Sequence, residues 1–79
     1  MNTENKFVHN AVEMEIHYEE DFPDYGPGWV VVLVLNGYQI WGEWPRKTKS
    51  AAKALAKAKA KIHGAKRITI NYLPEIIEL

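Results

Sequence analysis

Between Trp29 and Trp44 the chain reads WVVVLVLNGYQIWGEW, and this segment restricts the fold more than any other. A β-branched run is followed by Asn36-Gly37 and then by a second apolar run. Asn-Gly is a strong hairpin signal, because a type I′ turn needs positive φ at both central positions and these two residues tolerate it. A two-residue loop also sets the register: Leu35 faces Tyr38, Val34 faces Gln39, and so on along both strands. Regular pairing then places Trp29, Val31, Leu33 and Leu35 with Tyr38, Ile40, Gly42 and Trp44 on one face. Val30, Val32 and Val34 lie with Gln39, Trp41 and Glu43 on the other. Both faces are apolar, and a single helix covers only one.

The flanking segments supply the rest of an α+β domain. Val12, Met14, Ile16 and Tyr18 alternate with Glu13, Glu15, His17 and Glu19, the period of a half-buried strand. EEDFPDYGPG, with two Pro and two Gly, reads as a loop. Pro45 ends the hairpin, Thr48 or Ser50 can cap a helix, and Gly64 supplies its left-handed C-terminal position. On that helix Ala51, Ala54, Leu55, Ala58 and Ile62 form one stripe at about 100° per residue, opposite Lys49, Lys53 and Lys57. Ile68, Ile70 and Tyr72 alternate again, Pro74 stops that strand, and EIIEL is a short tail able to pack on an edge. The expected order is β-β-β-α-β. An antiparallel three-stranded meander is extended by a fourth strand after the helix, lying beside the first and parallel to it, with the helix on one sheet face. Residues 1–11 read as a flexible tail and 12–79 as a single domain.

The charge is segregated. The chain is neutral, with ten basic and ten acidic side chains. Residues 45–65 hold seven of the ten Lys and Arg and no carboxylate, whereas residues 1–45 carry one lysine against eight carboxylates. The molecule should therefore have a basic side and an acidic side. Lys49, Lys53 and Lys57 are spaced four apart, so they repel one another by a few tenths of a kcal/mol per pair, roughly. Stability alone would favour interspersed Glu, and phosphate contact is a reason to omit it. The bland account is that Ala and Lys are strong helix formers whose amines meet only water.

Other function classes find little support. The single Ser is a candidate helix cap, and His9, His17 and His63 lack metal-ligand spacing. The acids at 19–24 lack the ligand order of a calcium loop, and there is no Gly-rich phosphate loop. We expect no catalysis, no metal and no cofactor. With no Cys, no long apolar run and no secretory pattern at the N-terminus, the expectation is a cytoplasmic protein without membrane association.

From about residue 18 to residue 62 the chain resembles a double-stranded-RNA-binding domain. YGPGWVVVLVLNGYQIWGEW is similar to that family's Gly-Pro loop and hairpin, and KTKSAAKALAKAKAKI to its second helix. The resemblance implies duplex RNA or DNA as partner. By position it implies Lys49 and Lys53 as phosphate ligands, with Arg46 or Lys47 assisting; the spacing of the helix lysines adds Lys57 as a candidate. The chain departs from the family in opening with a strand pattern where the family has a helix. It has Gly28 and Trp29 where the family places a His after Gly-Pro, and Ser50 where the second of its paired lysines stands. It also adds a strand after the helix.

The chain also resembles small phage-encoded inhibitors of β-β-α-β type, which block a host protein. That implies a protein partner, or a homodimer, docking on the outer hairpin face formed by Val30, Val32, Val34 and Trp41. The bland account of this face is a cover from Phe7 and Val8 or from Ile76 and Ile77. The acids at positions 13, 15, 19, 20, 21 and 24, with Glu43, are also compatible with mimicry of nucleic acid toward a basic partner, or with ordinary solubility.

Overall fold

The computed structural model describes residues 12–79. The expected frayed tail at 1–11, and the cover by Phe7 and Val8, fall outside the described residues. The elements are β1 (Val12–Phe22), β2 (Gly26–Leu35), β3 (Tyr38–Gly42), α1 (Lys49–His63), β4 (Arg67–Ile70) and β5 (Glu75–Glu78). They form an α+β fold, a five-stranded mixed sheet in the order β3-β2-β1-β4-β5 with one helix packed across it. The meander is antiparallel, and β4 runs parallel to β1 with Met14 opposite Ile68 and Ile16 opposite Ile70. The C-terminal tail adds a fifth strand, antiparallel to β4. It extends the edge, so Ile76 and Ile77 do not fold over the hairpin: Ile77 pairs with Ile68 and packs on the core, and Ile76 is exposed.

The alternation in β1 has the expected result. Met14 and Ile16 are fully buried, with Val31, Leu33, Ile68 and Ile70 beside them under the helix. The turn also forms as expected, with positive φ at Asn36 (51°) and Gly37 (87°) and Leu35 opposite Tyr38.

Regular pairing does not persist along the hairpin. Val34 faces Gln39, but Leu33 faces Trp41, so Ile40 is an extra residue in a β-bulge. A one-residue slip moves every later side chain to the other face. Trp41 therefore sits on the helix side and packs against the core, which corrects its assignment to the outer face. Trp44, expected under the helix, is 56% exposed, and Tyr38 and Ile40 are exposed as well.

The helix begins and ends where its caps require. Thr48, in extended conformation, accepts a hydrogen bond from the Ala51 N–H at 3.1 Å. Gly64 adopts φ 79°, and the N–H groups of Gly64 and Ala65 both donate to the Ala60 carbonyl. The buried face is Ala52, Ala56 and Ala60, not the stripe of Ala51, Ala54, Leu55, Ala58 and Ile62. Of those five only Leu55 packs on the core, and Ile62 is 70% exposed. The buried face lies roughly 140° around the helix from that stripe. Its smallest side chains meet the sheet, which lets the backbone approach closely.

Candidate nucleic-acid interface

The rotation of α1 changes the surroundings of its lysines. Lys49 and Lys53 do not point straight out; they lie on the flank facing β5 and are about two-thirds buried. The Lys49 amine is 2.9 Å from one Glu75 oxygen and the Lys53 amine 3.3 Å from the other. Hydrogen bonds from Lys49 and then Lys53 hold the Glu75 carboxyl below the usual carboxylate range. Two ammonium groups thus share one carboxylate, and the flank keeps a positive excess. Lys57 is exposed, and among the described residues it has no carboxylate partner. Lys59 lies over the Trp41 ring, with its amine 5.1 Å from the centroid.

The segment before the helix is a second cationic group. Trp29 and Arg46 exchange backbone hydrogen bonds of 2.8 and 2.9 Å, which continue the β2 edge beyond β3. The Arg46 guanidinium donates to the Trp44 carbonyl at 3.1 Å. Lys47 donates to the Tyr25 carbonyl at 3.2 Å, and its amine lies 4.0 Å above the Tyr25 ring. Such a contact at an exposed site is worth about 0.5–1 kcal/mol. Arg46 and Lys47 therefore form one group along the rim of the sheet, Lys49 and Lys53 a second at Glu75, and Lys57 stands a turn beyond.

Aromatic rings line the same end of the molecule. Tyr18, Trp29 and Tyr72 form one cluster with centroids 4.8–5.6 Å apart, and the Lys49 amine is 5.9 Å from the Trp29 ring. Phe22, Tyr25 and Trp44 form another, in perpendicular contacts. Sequence reasoning places Trp29 and Trp44 under the helix and Phe22 and Tyr25 in a loop, and misses the position of these rings beside the cations. The available signal is the tetrad Trp44-Pro45-Arg46-Lys47, in which a ring adjoins two cations across a rigid residue.

The outer face is less open than expected. Val30, Val32 and Val34 share it, facing His17, Glu15 and Glu13, but Val32 and Val34 are buried and Trp41 is absent from it. A cavity of about 310 Å³ lies there, lined by His17, Glu19, Asp21, Phe22, Val30 and Val32 among others. His17 donates to Glu15 at 2.8 Å. Among the described residues, no group of three or more side chains could hold a metal ion, and no helix is long and apolar enough to cross a membrane. No protein-family model matches the chain, and no curated protein or solved structure matches it.

Proposed function

We propose that the protein is a small, non-enzymatic, cytoplasmic module that contacts nucleic-acid phosphates through Arg46, Lys47, Lys49, Lys53 and Lys57. The observation that carries this reading is the charge of α1: five lysines, no acid, and one shared carboxylate at Glu75. A solvated helix gains nothing from that imbalance, whereas a polyanion does, by releasing its condensed counterions. The similarity of residues 18–62 to a double-stranded-RNA-binding domain supports the same reading. The competing reading, a protein interface on Val30, Val32, Val34 and Trp41, is left without its aromatic anchor because Trp41 packs beneath α1. Titration with duplex and single-stranded RNA and DNA across a salt series tests the proposal. Charge reversal at Lys47 and Lys57 should weaken binding and lower the salt slope by about 0.9 for each phosphate no longer neutralised. Unchanged affinity and slope in both variants would rule the helix out as the reader.

A further inference from the structure

We propose that Trp44 is a stacking platform for an unpaired base, so that the ligand of this surface is single-stranded nucleic acid. The inference rests on the phosphate reading and narrows it. Trp44 is more than half exposed, although a ring of this size gains much from burial. It is also held in place. Glu43 N–H donates to Val31, and Arg46 pairs with Trp29, so the backbone is pinned on both sides of Trp44. Pro45 between them is fully buried against Gly28.

Phe22 and Tyr25 meet the indole at 5.2 and 5.8 Å and at 76° and 89°. Both contacts are perpendicular, so neither partner stacks on the ring. A fixed ring that is more than half exposed costs little entropy when a base is laid on it.

The cations complete the site. Arg46 is tied to the Trp44 carbonyl and Lys47 to Tyr25, so both are held within a few residues of the ring. A base stacked on Trp44 would bring its phosphates to that side. Asp21 and Asp24 are exposed and repel phosphate, so the approach along Arg46 and Lys47 is favoured. Bases inside a duplex offer no open faces, so a stacking ring selects unpaired ones.

The experiment compares two polyanions: a single-stranded oligothymidylate, and inorganic polyphosphate, which has the charge but no bases. Wild type, Trp44→Ala, Trp44→Phe and Trp44→Leu are titrated at low salt. The leucine variant keeps apolar contact with Phe22 and Tyr25 while removing the π face, and circular dichroism melts report folding. Trp44→Ala and Trp44→Leu should lose roughly 5- to 150-fold in oligothymidylate affinity. Trp44→Phe should retain most of it, and polyphosphate binding should be the same in all four. If polyphosphate and oligothymidylate both bind and Trp44→Leu changes neither, or changes both equally, stacking is refuted while the phosphate reading stands. If wild type binds neither, nor any duplex, both are refuted.

Discussion

Gly28→Ala is the sharpest test of how the Trp44 segment is held. Gly28 is buried in β2, and a Cβ there would lie 2.8 Å from the Pro45 Cβ, 2.9 Å from the Tyr25 Cε2 and 3.2 Å from the Arg46 carbonyl. None of these neighbours yields easily. Proline has no rotamer to change, and its flanks are fixed by the Trp29–Arg46 hydrogen bonds. Tyr25 is confined by Phe22, Trp44 and Lys47. Overpacking of this kind costs about 1–3 kcal/mol, offset by about 0.4–1 kcal/mol because alanine restricts the unfolded chain. A net loss of about 1–2 kcal/mol lowers Tm by roughly 5–15 °C in a domain of this size. Urea unfolding should show a lower midpoint at unchanged slope. Gly42→Ala is the control: its new Cβ would meet the far end of the exposed Gln39 side chain at 3.3 Å, Val32 at 3.5 Å and the Val31 carbonyl at 3.9 Å, so its effect should stay within about 0.5 kcal/mol. Equal stability of the two variants would refute the account of a notch filled by Pro45.

Other consequences follow from the helix and its ion pairs. Ala56→Leu should destabilise by about 1–3 kcal/mol in urea melts, because Ala56 is fully buried against the sheet, while Ile62→Lys should stay within about 0.5 kcal/mol. The reverse ranking would restore the stripe read from the sequence. Thr48→Ala should cost about 1 kcal/mol by leaving the Ala51 N–H without its cap, and Thr48→Asn should recover most of it. Glu75 has a lowered pKa in the folded state, so its contribution to stability is present at neutral pH and fades as the pH falls below 4.5, the ordinary Glu value. Wild type should therefore lose more stability than Glu75→Gln on acidification through that range. At neutral pH Glu75→Gln should bind polyphosphate more tightly, since Lys49 and Lys53 are no longer shared with a carboxylate. Parallel acid profiles for the two proteins would count against the ion pairs.

The sequence is most legible where a local rule leaves no competitor. Asn36-Gly37 specifies the turn, the alternation of β1 specifies its buried residues, and the crossover through α1 specifies the parallel place of β4. The helix face is misread because alanines occur on nearly every side of α1. The two large residues, Leu55 and Ile62, then dominate the stripe. A helix that packs closely on a sheet is positioned by its small side chains instead, and Ile62 would hold it away. Glu75 is invisible as the partner of Lys49 and Lys53, because β4 and β5 must first form before a residue 22 positions along the chain from Lys53 reaches it.

The least legible feature has the largest consequence. With regular pairing, Trp41 would belong to the outer face and Trp44 to the core. The extra residue at Ile40 exchanges them: Trp41 becomes a core ring and Trp44 an exposed one. Nothing in the composition of YQIWGEW announces a bulge, since Ile40 favours a regular strand as much as its neighbours do. Deleting Ile40 tests the exchange. Gln39 already faces Val34 and Trp41 already faces Leu33, so the deletion leaves both tryptophans on their present faces and removes only the irregularity. The variant should remain folded, lose less than about 1 kcal/mol because Ile40 is exposed, and leave the emission of the partly buried Trp41 unchanged. Under an unbroken register Trp44 would be the core ring instead, and the same deletion would turn it outward, at a cost of about 3–5 kcal/mol. A deletion variant that unfolds by that margin would show that the bulge does not divide the two tryptophans between core and surface.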